Sequence, residues 1–242
     1  MGRTLPRCKI CISVIPSPIN VELIRPVPRT GAFRARHAIP RDALVVMHAG
    51  SMGMKQGLLN VIAAARLTRD TKICWVLVGE GDALSDLIEA TRRDDLGSHV
   101  WFVPFQPEEA LAEMFADADV LLLNQLSAVQ DTVIPSKLLT YMAAGRPVLA
   151  AVNPASQAAR LLRKADGGVL VAPEDPNALA EAARWFTTAA PLVVAGFSQR
   201  NRRYAEQHFD QRNIIAAHEH FILDTLRVVP QRTKPGPTPG RR

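Results

Sequence analysis

Residues 44–57, LVVMHAGSMGMKQG, decide the fold. Six residues of nearly unbroken apolar chain (Leu44–Ala49) run into a glycine turn, and a helix-period segment follows at about 55–68. A strand that reads apolar throughout is buried on both faces, as in a parallel sheet covered by helices. The same unit recurs outward from this stretch. Further strands are expected at Ile73–Val78, Val100–Val103, Val120–Leu123, Val148–Ala151 and Gly168–Val171. Amphipathic segments follow them at about 83–93, 107–116, 136–144, 155–164 and 175–188. Repeated strand–helix units with right-handed crossovers predict an α/β fold, a doubly wound parallel sheet.

Stop signals agree with these boundaries. Gly145 followed by Arg146-Pro147 ends one helix and forces extended chain. Asp175-Pro176 places an N-cap before a proline at the first helical position. Two extra C-terminal helices are expected at about 197–208 and 210–225. Residues 1–40 break the alternation: one strand-like run, Lys9–Ile15, leads into proline-rich chain and a short helix near Ala32–His37.

Composition narrows the function. The chain has 242 residues, 48% of them hydrophobic and 21% charged, as in an ordinary globule. Aromatic residues make up only 5%, too few for a base-stacking nucleic-acid platform. Of the net charge of +6, four charges (Arg232, Lys234, Arg241, Arg242) sit in the tail, leaving +2 elsewhere. No recognition motif accompanies Arg200, Arg202 and Arg203, so nucleic acid is not an expected partner. Three cysteines make no disulfide framework and suit a reducing cytoplasm. Cys8 and Cys11 form a C-x-x-C without the second ligand pair that a zinc site needs, and no metal is expected. No apolar run reaches the ~20 residues of a membrane span, and no signal peptide is read.

In an open α/β sheet, ligands bind outside the carboxyl ends of the strands. Three loops there carry candidate chemistry. In the first, Gly50 and Gly53 let backbone approach an anion, Ser51 lies between them, and Lys55 adds a positive charge. A lysine in a first helical turn opposes the helix dipole by ~0.3–1 kcal/mol, which an anion would offset. In the second, Ser136 is expected as an N-cap behind Pro135, with the Ser136, Lys137 and Leu138 amides facing the same crevice. Two helix starts and one ammonium converging on one pocket suit a diphosphate. In the third, Pro104, Phe105 and Gln106 offer a strand end for a base or ribose. Neither the G-x-G-x-x-G dinucleotide fingerprint nor a G-K-[ST] P-loop is present, and Gly79-Glu80-Gly81 lacks its third glycine.

HAGSMGMKQGL, WVLVGEGD, VWFVPFQPEEALAEMFADADVLLL, VIPSKLLTYMAAGRPVLA and GGVLVAPEDPNALAEA, in that order, resemble the C-terminal domain of glycosyltransferase family 4, in the branch of bacterial polysaccharide synthesis. The resemblance covers about residues 9–225 and implies the donor-binding, Rossmann-like half of a GT-B fold. It implies a retaining sugar transfer from a nucleotide-diphosphate donor as co-substrate, with no metal and no further cofactor. Gly50, Ser51, Gly53, Lys55, Ser136, Lys137 and Leu138 would meet the diphosphate. Pro104, Phe105, Gln106, Thr132 and Thr140 would border the ribose and base. No residue is assigned as catalytic.

Ser51 stands where many members have arginine, and Thr132 and Thr140 where many have paired glutamates. On this resemblance, residues 1–40 are the remnant of an N-terminal domain with the crossing segment at 9–20. Residues 41–190 are the nucleotide-sugar domain, 191–228 the C-terminal helices and 229–242 a disordered basic tail. The N-terminal acceptor domain is expected to be absent and to come from a separate domain or polypeptide. The location expected is cytoplasmic, with peripheral contact at the inner face of the membrane. A non-catalytic nucleotide-binding or partner module is the alternative. An epimerase on the same architecture needs acids and histidines in the cleft; His48 reads as packed inside a strand, and His218 and His220 do not share a helix face.

Overall fold

The computed structural model describes residues 15–129 and 134–228. Six parallel strands form one sheet: β1 (Leu44–Ala49), β2 (Ile73–Val78), β3 (Val100–Val103), β4 (Val120–Asn124), β5 (Val148–Ala151) and β6 (Gly168–Val171). Their spatial order is β3-β2-β1-β4-β5-β6, so the chain reverses direction across the sheet between β1 and β4. This is the doubly wound, Rossmann-like arrangement expected, and it places a crevice at the carboxyl ends of β1 and β4.

Alternation within the strands explains why both faces are covered. In β2, Cys74, Val76 and Val78 enter one hydrophobic layer and Ile73, Trp75 and Leu77 the other. Helices α2 (Leu59–Leu67), α3 (Leu84–Arg93) and α7 (Pro176–Thr188) cover the face of the second layer. Helices α1 (Ala32–Arg36), α4 (Leu111–Asp117), α5 (Ser136–Ala143) and α6 (Gln157–Ala165) cover the first. Helices α8 (Pro191–His208) and α9 (Gln211–Val228) complete the described residues.

Several boundaries differ from the periodicity. Helix α2 begins at Leu59, not near 55, because Met54–Gln56 form a 3-10 turn closed by Gly57 at φ 55°. Helix α8 begins at Pro191; its first turn exposes Leu192 and Val193, so no amphipathic period announces it. The Asp175 cap is present, its carboxylate accepting from the Ala178 amide at 3.0 Å. Ser136 is the first helical residue rather than the cap: Pro135 holds the cap position and no side chain caps the helix.

The described part of the N-terminal segment is packed onto this domain. Val21, Ile24, Phe33 and Ile39 are buried. The Arg202 guanidinium donates to the carbonyls of Val21, Ile24 and Ala143 at 2.8–3.0 Å, tying residues 21–24 to α5. Asp117, fully buried, accepts from the amides of Gly31, Phe33 and Arg34 and so closes the start of α1. The strand read at Lys9–Ile15 lies, but for Ile15, outside the described residues, as do Cys8, Cys11, Thr132 and the tail from 229. Among the described residues no helix is long and apolar enough to cross a membrane.

Candidate functional site

A cavity of about 460 Å³ opens at the crevice between β1 and β4. Its walls come from the turn after β1 (Ala49, Gly50, Ser51), the end of β4 (Asn124, Gln125) and the start of α5 (Ser136, Lys137, Thr140). Among the described residues no acid lines it, and the one lining cation is Lys137.

The sequence of α5 builds one wall. Leu138, Leu139 and Met142 are buried in the core, and their spacing fixes the helix face. Tyr141, also buried, reaches across to β1: its hydroxyl accepts from the Ala49 amide at 2.9 Å and faces the Ala49 carbonyl at 3.2 Å. With the helix so fixed, Lys137 projects over Gly50. A Cβ on Gly50 would sit 3.0 Å from Lys137 Cε, and φ at Gly50 is 120°, so the crossing needs glycine here. The Lys137 ammonium lies 2.9 Å from His48 Nε2 and 3.5 Å from the Ser51 carbonyl.

Charge is the informative quantity. Burial pulls the Lys137 ammonium down to about 8. His48, fully buried in β1, is held neutral at about 3, first by burial and then by the Lys137 charge. Among the described residues Lys137 makes no ion pair, which distinguishes it from Arg29, Arg34 and Arg202. A partly desolvated cation with no counter-ion is costly unless a ligand supplies the anion. At the start of α5 the amides of Ser136 and Lys137 have no acceptor within the helix, and they add to the positive potential there. The Leu138 amide is already bonded to the Pro135 carbonyl at 2.9 Å, and its side chain is buried away from the cavity.

The first loop is arranged differently from the expectation. Lys55 lies in the 3-10 turn, exposed, and is not among the residues lining the cavity; Gln56 is. Gly53 also stands outside the lining, in extended conformation. Asn124 holds this loop in place. Its side-chain amide donates to the carbonyls of Gln56 (2.6 Å) and Gly57 (3.1 Å), and its oxygen accepts from Asn60. The Leu126 amide adds a bond to the Lys55 carbonyl at 3.0 Å.

Of the third loop, Phe105 lines the cavity mouth with 67% of its surface exposed. Pro104 and Gln106 do not line it, and the Gln106 side chain is bonded to the Pro104 carbonyl. Thr140 lines the cavity, and its hydroxyl donates to the Ser136 carbonyl at 3.2 Å.

Structure therefore brings Gly50, Ser51, Phe105, Ser136, Lys137 and Thr140 to one cavity and leaves Gly53, Lys55, Pro104, Gln106 and Leu138 outside its lining. Sequence reasoning missed Asn124, Tyr141 and the part His48 plays beside Lys137. The available signal was polar residues at the ends of otherwise apolar strands: His48 in LVVMHA and Asn124 in VLLLN. Among the described residues no group of three His, Cys, Asp or Glu is placed to hold a metal.

Comparison with known proteins fits this geometry. The sequence profile described as "Glycosyl transferases group 1" matches residues 43–188. The Escherichia coli (strain K12) protein named as a colanic acid biosynthesis glycosyl transferase, WcaI, is 29% identical over 194 residues. That match covers 80% of this chain and 46% of the relative, so the chain spans about half the length of that protein. Anabaena HepE, solved in complex with UDP, superposes with a TM-score of 0.73 at 21% identity, over 89% of this chain and 57% of HepE. The C-terminal domain of the Francisella tularensis group 1 glycosyl transferase LpcC superposes with a TM-score of 0.65 at 15% identity, over 80% of this chain and 99% of that domain. With the profile spanning more than half of its residues, the chain belongs to the group 1 glycosyl transferases.

Proposed function

We propose that this chain is the donor-binding half of a glycosyltransferase, taking a nucleotide-diphosphate sugar at the cavity between Gly50 and Ser136. The observation that carries the reading is Lys137: an ammonium at the switch point of the sheet that, among the described residues, has no acidic partner and shares its cavity with no acid. The diphosphate would lie against Lys137 and the first amides of α5. Lys55, exposed beside the lining residue Gln56 and without an ion pair among the described residues, would supply a second charge from the rim. Thr140 and Phe105 would border the ribose and base, with a neutral hydroxyl where other members place an acid. On this reading transfer proceeds with retention and without a metal. The neighbour HepE was solved with UDP, which makes UDP the first nucleotide to test.

The acceptor would be held by a second Rossmann-like domain, docking where α9 exposes Ile215, Ile222 and Leu223. Work on an envelope polysaccharide would keep the site cytoplasmic, at the inner face of the membrane. Calorimetric titration of UDP and GDP tests the donor site. Lys137→Met and Lys55→Ala should each weaken binding roughly ten- to a hundredfold, or ~1.5–3 kcal/mol. Equal affinity in the Lys137 variant would remove that residue from the site. A second reading, a nucleotide-binding module without catalysis, is favoured by the lack of any acid among the described residues of the cavity wall. Binding without transfer, in the presence of a complete acceptor half, would select it.

A further inference from the structure

The geometry points to His48 as the positioning residue that aims the Lys137 ammonium into the cavity. This rests on the donor-diphosphate reading and goes beyond it, because His48 does not line the cavity.

His48 sits near the carboxyl end of a central strand, paired with Leu77 of β2, and is fully buried. Its Nε2 meets Lys137 Nζ at 2.9 Å, 89 residues away in sequence. An ammonium carries donors only, so wherever Lys137 is charged Nε2 accepts from it at 2.9 Å and the imidazole proton goes to Nδ1, a buried atom with no hydrogen-bond partner among the described residues. The Ser51 carbonyl, 3.3 Å from Nε2, favours the opposite tautomer and competes with the lysine for this nitrogen. A ring that stays neutral can hold this acceptor role wherever Lys137 is charged. The Lys137 chain is confined on its other side by Gly50, where no side chain competes for space. Of the three ammonium N–H groups, one is taken by His48 and a second faces the Ser51 carbonyl at 3.5 Å. The third is left for the cavity. Without the acceptor at 48, a flexible four-carbon chain would have to be immobilised by the ligand itself, which costs affinity. A histidine that only filled the strand would be replaceable by any side chain of its size. An acceptor for Lys137 would not.

Two substitutions separate these roles, because glutamine and methionine share a shape and differ in the acceptor. In the full chain, UDP titration should give His48→Gln an affinity within about threefold of wild type. His48→Met should bind roughly tenfold more weakly, while both keep similar urea midpoints. Adding His48→Met to Lys137→Met should cause no further loss, since the two act as one unit. Should Lys137→Met weaken UDP binding while His48→Met binds like wild type, the positioning role is wrong. The same follows if His48→Gln is as weak as His48→Met, for then only imidazole packing matters. A wild-type chain that binds neither UDP nor GDP, or binds them equally well without the lysine amine, instead overturns the donor-site reading and takes the positioning role with it.

Discussion

Replacing Lys137 by methionine should stabilise the empty protein while disabling its site. The ammonium is held at about 8 against an ordinary 10.5, and burial is the cause. At ~1.4 kcal/mol per pH unit that gap corresponds to at most ~3.5 kcal/mol, which residual solvent contact reduces to ~1–2 kcal/mol. The folded-state value is the lower one, so between pH 8 and 10.5 the unfolded chain binds more protons and stability rises with pH. Below about pH 8 the lysine is charged in both states and the full cost is present. Urea unfolding should therefore find Lys137→Met more stable than wild type by ~1–2 kcal/mol at pH 7. The difference should be flat below pH 8, shrink from 8 to 10.5 and vanish above. Saturating UDP should reverse the order, because ligand binding to the folded state stabilises only the protein that binds it. A variant that is equally or less stable than wild type at pH 7 would refute the account of Lys137 as a desolvated cation awaiting an anion.

Gly57→Ala should destabilise by ~1–2 kcal/mol and weaken UDP binding several-fold. Its φ is 55°, and a Cβ there would lie 2.6 Å from a Leu126 methyl, displacing the loop that Asn124 holds; urea unfolding and calorimetry read the two effects. Asp117→Ala should cost ~2–4 kcal/mol, because it strips acceptors from the Gly31, Phe33 and Arg34 amides. Asp117 precedes β4 at the opposite end of the sheet from the cavity, so UDP affinity measured below the unfolding range should be unchanged.

Strands were the most legible part of the chain. A run such as ICWVLV leaves no polar residue to face water, so burial on both sides follows from the residues alone, and five of six strands have the expected ends. Helix starts were less legible, for local reasons. Gly57 in left-handed conformation interrupts what reads as continuous helical chain from 55, and the exposed Leu192 and Val193 hide the first turns of α8. The cavity's position followed from strand order. Its chemistry did not, because the decisive contact joins His48 to Lys137 across 89 residues. Read along the chain, Lys55 beside two glycines looks like the phosphate-binding cation, and Lys137 looks like one residue of a capped helix. Only the three-dimensional packing of α5 over Gly50 shows which of the two amines is already desolvated at the crevice.

On the proposed reading, that placement is compatible with uncharged residues at Ser51 and Thr140, which line the same cavity. In the empty cavity the Lys137 ammonium is opposed by its loss of water and by the positive end of α5, and neutral His48 cannot offset either with a charge. Burial weakens the cation, whereas a carboxylate at 140 would neutralise it from within and leave less potential for a ligand. A phosphate oxygen entering the cavity turns both opposing effects around: it replaces the lost water and meets the helix dipole with the favourable sign. On that reading affinity should scale with the anion's charge and fall away for a neutral sugar alone. On the proposed reading, a site built this way would hold the donor by its diphosphate and leave the choice of sugar to groups outside the described cavity wall.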